Sequence, residues 1–164
     1  MAVRDAVAAD AETVAAFLDE HGSAVVARHG ELLEATGRPA LLAEEDGRLV
    51  GVLTYVVTGT DCEVLTLHAD PPQTGVGTEL VEAVATAAAR LGCDRLWLIT
   101  TNDNVDALRF YQRRGFRLVG LHPGAVDRSR RELKPQIPEF ADNGIPIRDE
   151  LDLERPLTPS APPG

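Results

Sequence analysis

A chain of 164 residues, 44% apolar and 26% charged, has the size and balance of one ordinary globular domain rather than a disordered or fibrous protein. No apolar run approaches the ~20 residues of a membrane-crossing helix, which excludes a helical membrane span. With 16 basic against 26 acidic side chains the net charge is −10, a field that repels phosphate backbones and anionic lipid, so neither nucleic acid nor a membrane is expected as partner.

From the N-terminus, Ala2 to Val7 has the length of an edge strand, and Asp10 is expected to cap a helical pattern with Val14, Phe17 and Leu18 on one side. Ser23 to Ala35, with Val25, Val26, Leu32 and Leu33 as apolar positions, reads as a second helix stopped by Gly37 and Pro39. Ala40 to Ala43 and Leu49 to Val57 flank Asp46-Gly47, a dipeptide that tolerates the positive φ angles of tight hairpins. Cys62 to Leu67 follows the turn residues Gly59, Thr60 and Asp61, completing an antiparallel meander of three strands. Leu80, Val81, Val84, Ala85, Ala88 and Leu91 then recur at helical spacing up to Gly92, and Leu96 to Ile99 reads as a strand. Asn104 caps a short helix, Val105 to Arg114, closed by Gly115. Phe116 to Leu121 and Ile145 to Leu153 are the last strands, joined by a polar, Pro-containing connection. Residues 1–155 are assigned to one domain and the Pro-rich residues 156–164, with almost nothing to bury, to a flexible tail.

Met1-Ala2-Val3-Arg4-Asp5 lacks the basic start and apolar block of a secretory leader, so the expected location is the cytoplasm. Cys62 and Cys93 have no CxxC partner, and His21, His29, His68 and His122 show no ligand spacing such as HExxH. Neither a disulfide framework nor a metal is expected. Among the basic residues, all Arg except Lys134, Arg109, Arg113, Arg114 and Arg117 fall within nine positions, a local patch suited to an anionic ligand.

Two segments carry chemistry. Leu65 to Leu80 places Gly75 and Gly77 between a strand and a helix N-terminus, where free backbone N–H groups and the helix dipole favour a phosphate. A dinucleotide fingerprint would need a third glycine where Leu80 stands, and a P-loop would need Gly-Lys-Ser/Thr; the segment has neither. The second segment is Asn104-x-x-Ala107-x-x-Phe110-Tyr111-x-Arg113-x-Gly115-Phe116. Together the two resemble the acetyl-CoA-binding core of the GNAT superfamily of N-acetyltransferases, over about Leu49 to Leu121. Where that superfamily usually carries Gln or Arg ahead of the first glycine, this chain has Pro72, followed by Gln73.

The resemblance implies an α+β fold of three layers, α/β/α, with a mixed, mostly antiparallel sheet flanked by helices. It implies direct transfer of acetyl from acetyl-CoA, a co-substrate, to a primary amine of a small molecule or peptide, with no metal. It assigns Tyr111 to protonating or orienting the CoA sulfur and Glu63 to deprotonating the amine, a task suited by a carboxylate whose pKa is raised in a partly apolar cleft. Leu67, His68 and Ala69 would bind the pantetheine arm through their backbone. Thr74, Gly75, Val76, Gly77 and Thr78 would hold the pyrophosphate, Asn104 would reach the cofactor amide or the oxyanion region, and Arg113 would meet a phosphate of the adenosine end. Glu63 and His68, five apart on one strand, are expected to point oppositely, which ranks His68 below Glu63 as a base. Cys62 reads as packing, and Asp103 as a turn residue. A homodimer is left open. Two rival readings are a noncatalytic acyl-CoA-binding or sensor domain and a transferase of a different acyl group.

Overall fold

The computed structural model describes residues 1–159, in two compact units. The first holds Met1–Val25, Glu34–Leu96 and the described residues from Pro156; the second holds Val26–Leu33 and Trp97–Arg155. In chain order the elements are β1 (Ala2–Asp5), α1 (Ala11–Glu20), β2 (Val25–Arg28), β3 (Glu31–Glu34), β4 (Ala40–Glu45), β5 (Arg48–Thr58) and β6 (Asp61–Ala69). There follow α2 (Val76–Arg90), β7 (Arg95–Thr101), α3 (Val105–Gln112), β8 (Arg117–His122), α4 (Ala125–Glu132) and β9 (Glu150–Pro156). Seven strands belong to a mixed sheet, ordered β1-β4-β5-β6 in the first unit and β7-β9-β8 in the second, and the α+β class expected from the sequence is the one found.

In the first unit the strands pair antiparallel, with the β4–β5 turn made by Asp46 and Gly47 at φ +51° and +74°. Alternate residues of β5 face opposite helices. Gly51 lies under α2 so closely that a Cβ there would stand 2.5 Å from Val76 Cγ1 and 2.9 Å from Leu80 Cδ1. Val52 faces the other way with its ladder partner His68, which touches Ser23 and His21 just beyond α1. Val14, Phe17 and Leu18 bury the inner side of α1, and Leu80, Val81, Val84 and Ala88 that of α2. Asp10 stands at the N-cap of α1 as expected but makes no side-chain cap bond there, because its carboxylate accepts from Arg4 and from Val7 N instead.

The helix expected over Ser23 to Ala35 is instead the hairpin β2–β3. His29 and Gly30 sit at φ +46° and +77°, the pair of left-handed residues that a two-residue hairpin turn demands. The apolar pairs Val25-Val26 and Leu32-Leu33 fit a strand as well as a helix face, and the turn decides between them.

In the second unit β8 and β9 pair antiparallel, and the connection before β9 is more organised than its polarity suggests. It contains α4, which buries Ala125, Val126 and Ser129. Arg130 gathers the carbonyls of Ile137, Pro138 and Ile147 at 2.9, 2.7 and 2.8 Å and also meets Asp127. Asn102 accepts from the amides of Arg148 and Asp149 and donates to Pro146 O. The last strand therefore begins at Glu150, not Ile145: the backbone groups of 146–149 are divided between the side chains of Asn102 and Arg130 and the main chain of Asn102, Val126 and Glu139, with a single isolated bridge from Pro146 to Phe140 in place of a ladder. At its far end β9 runs to Pro156, and Leu157 N donates to Asp94 O at 2.8 Å. The remainder of the expected tail, 160–164, lies outside the described residues.

Candidate active site

Within the first unit, the β5–β6 ladder contains a bulge: Thr54 pairs with Thr66 and Tyr55 with Val64, so Leu65 is an extra residue on β6. Glu63 pairs with Val56 and His68 with Val52, two β5 residues four apart and hence on one face. The expectation that Glu63 and His68 point oppositely is thus corrected: the bulge restores them to the same side. Between them Thr54 Oγ1 and Thr66 Oγ1 share a buried hydrogen bond of 2.6 Å. Glu63 is only 5% exposed, a buried carboxylate rather than a solvated strand-edge charge. Cys62 faces the opposite side, where burial pushes its thiol up to about 12, so it is a packing residue and not a nucleophile at neutral pH.

His68 donates to or accepts from Ser23 Oγ at 2.6 Å and stands 4.9 Å, ring to ring, from His21. Burial, then the neighbouring His21, bring its pKa down to about 4, so the imidazole is neutral at pH 7. Leu67, His68 and Ala69 close β6, after which Asp70 N still donates to Val50 O at 2.9 Å. Residues 71–75 are exposed, with Thr74 Oγ1 bonded to Pro71 O and with Gln73 and Gly75 at φ +63° and +86°. Gly75 is the N-cap of α2 and supplies no side-chain cap. Of the residues assigned to this turn, Thr74 and Gly75 are exposed, Gly77 and Thr78 half-buried, and Val76 is buried against Gly51, so only its backbone is on offer.

The remaining assigned residues lie on α3, in the second unit. Asn104 Oδ1 accepts from Ala107 N at 3.2 Å as a helix cap, which leaves its amide nitrogen as donor. Tyr111 is buried, its ring edge-on to Phe110 and Phe116 at 5.1 and 5.3 Å. Burial pushes its phenol above the ordinary range and keeps it protonated, the state a proton donor needs. The arginine patch divides by environment. Arg114 lies 3.7 Å over the Phe110 ring, Arg109 faces Asp106, and Arg113 at the C-cap is exposed. One group read from the sequence as a turn residue gains weight: Asp103 Oδ1 is buried without a hydrogen-bond partner among the described residues. Its signal was its place just beyond the C-terminal end of β7, where open α/β sheets present ligands.

The acetyltransferase (GNAT) family profile matches residues 7–116 of this chain. Among curated relatives, the uncharacterized protein YdhI of Bacillus subtilis is 48% identical over 107 residues, 65% of this chain and 66% of that one. The uncharacterized N-acetyltransferase Rv2669 of Mycobacterium tuberculosis is 35% identical over 113 residues, covering 66% and 70%. Among solved structures, the IAA acetyltransferase from Bacillus cereus superposes with a TM-score of 0.68 at 20% identity, covering 95% of this chain and all of that one. YncA, a putative acetyltransferase from Salmonella typhimurium with its cofactor acetyl-CoA, gives 0.68 at 18% identity, covering 100% and 98%. A profile spanning 7–116 takes in β6, the glycine turn, α2, β7 and α3 together, and this chain belongs to the GNAT family of acetyltransferases.

Proposed function

We propose that this protein moves acetyl from acetyl-CoA directly to a primary amine of a small molecule or peptide. The observation that carries the reading is the start of α2: a long helix reached from β6 through an exposed turn whose last residue, the left-handed Gly75, is its N-cap and has no side chain to stand in front of it. The backbone at that helix start, Gly75 to Gly77, suits the pyrophosphate, with Thr74 and Thr78 flanking it, and the exposed Arg113 suits a phosphate of the adenosine end. Leu67, His68 and Ala69 contribute backbone groups for the pantetheine arm, and Asn104 its free amide nitrogen. That solved relatives in fold carry CoA or acetyl-CoA supports the choice of co-substrate.

Acetyl-CoA, when bound, supplies the activated acyl thioester. Glu63 takes a proton from the incoming ammonium, giving a lone pair for attack, and a buried carboxylate is suited to hold it. Tyr111 gives a proton to sulfur as the carbon–sulfur bond breaks, and the second proton that nitrogen sheds as the amide forms restores the phenol. The acidic surface favours a cationic acceptor.

Thermal melting with CoA tests the binding half. Ligand at one hundred times its dissociation constant adds about 2.7 kcal/mol, a clear shift, whereas an unchanged melting temperature at saturating CoA would end the reading. Thiol release from acetyl-CoA across an amine panel tests the transfer half: a shift without release identifies a noncatalytic binder.

A further inference from the structure

We propose that His29, His122 and Asp152 form a binding site for one divalent transition-metal ion of zinc's class, built wholly within the second unit. His29 Nε2 stands 2.9 Å from Asp152 Oδ1 and His122 Nε2 2.9 Å from Asp152 Oδ2. The three ligand atoms lie within 4.8 Å of one another, and the two rings meet edge to face at 4.9 Å. Two imidazole nitrogens and a carboxylate oxygen are a donor set that borderline ions such as Zn²⁺ accept. Bonds of about 2.0–2.2 Å in tetrahedral geometry place ligand atoms roughly 3.3–3.6 Å apart, so small side-chain rotations convert the hydrogen-bonded cluster into a chelate.

Separate local features converge on this arrangement. His29 occupies the left-handed region at φ +46°, uncommon for a residue with a side chain, and its amide donates to Glu150 Oε1 at 3.2 Å. Glu150 is a buried carboxylate, and the His29 ring rests 5.6 Å from Trp97. Asp152 pairs across the ladder with Gly120, where a Cβ would come within 2.9 Å of Asp152 Oδ2. The absent side chain at that position, next to a bulge between Leu118 and Gly120, gives the carboxylate its room. His122 is the last residue of β8, on the same strand. The sequence conceals the set because its members are far apart in the chain and none lies at motif spacing from another.

The proton arithmetic closes without an added partner. Ionised Asp152 only accepts, so each Nε2 carries a hydrogen in the hydrogen-bonded form. On coordination each ring moves that proton to Nδ1 and presents its Nε2 lone pair, and the carboxylate stays ionised. His29, His122 and Glu150 also line a cavity of about 300 Å³, with Ser129 and Glu132, which is space enough for water to complete the coordination. Glu150, holding the His29 backbone, would orient a ligand from behind it.

The test uses the full chain without a histidine tag, stripped with chelator and then titrated with Co²⁺ and Zn²⁺. The expected result is one equivalent bound per chain, with visible Co²⁺ absorption bands that Zn²⁺ displaces. His122→Gln, and His29→Asn with a residue that tolerates the left-handed backbone, should each weaken Zn²⁺ binding roughly 100-fold. His68→Gln, in the separate His21–His68 pair, should leave it unchanged. Absence of saturable binding at one equivalent overturns the proposal, as does binding that survives His122→Gln or is lost in His68→Gln. Should His29→Asn melt early, His122→Gln at the strand end decides alone.

Discussion

Glu63 and His68 share one face of β6 because Leu65 is a surplus residue between them. The buried carboxylate and the neutral imidazole therefore belong to one side of the sheet, and Glu63 is the residue proposed above as the base. Replacing Glu63 by Gln removes the charge with little change of volume. Activity in Glu63→Gln is expected to require higher pH, since the amine must then lose its proton to solvent before attack. The acidic limb of kcat/KM against pH, taken with one amine for both proteins, checks this. Superimposed profiles and equal rates would move the role elsewhere, first to Asp103 with its unpartnered buried oxygen.

Tyr111→Phe keeps the ring between Phe110 and Phe116 and deletes only the hydroxyl. Turnover should fall by roughly ten- to ten-thousand-fold while CoA affinity stays near its original value. Steady-state thiol release beside a CoA titration separates the two quantities, and an undiminished kcat would make Tyr111 a packing residue.

The neutral burial of His68 has a stability consequence with a definite sign. Its folded pKa of about 4 lies below the 6.5 of the free side chain, so between these values the unfolded chain binds more protons. The contribution is fully present above pH 6.5 and is lost as pH falls toward 4. The melting temperature of the wild type should drop across that window, and His68→Gln should drop less. Parallel pH–melting curves for the two proteins would refute the assignment.

Gly51→Ala is expected to destabilise by about 1–3 kcal/mol, because its new Cβ would meet the stiff Val76 side chain and Leu80. Urea denaturation gives the value. Val76→Ala in the same chain removes the nearer obstacle, and the double variant should lose less than the sum of the two single ones.

The stretch from β4 to β8 was legible because punctuation agrees with periodicity: Asp46-Gly47, Gly92, Asn104 and Gly115 each end or begin an apolar run where the structure does. The hairpin β2–β3 was not, since its turn uses His29 in a conformation that composition assigns to Gly or Asn. Helix α4 was hidden for another reason. Its sequence AVDRSRRE offers few apolar positions, and the segment after it is held by Arg130 reaching carbonyls seven to seventeen residues away. At the site, Gly75 and Asn104 announce themselves, but the facing of Glu63 turns on a bulge at an ordinary leucine that carries no local mark.

The left-handed Gly75 sets two selection pressures against each other. A Ser, Thr or Asp at a helix start typically adds about 1 kcal/mol, and this chain forgoes it at the head of its longest helix. Of the residues with a side-chain cap, Asn best tolerates the φ of +86°. A laboratory evolution for heat resistance run without cofactor would favour such a cap, and each success would occupy the amides that the proposed reaction reserves for pyrophosphate. Run with CoA in the medium, the same screen would hold the glycine in place.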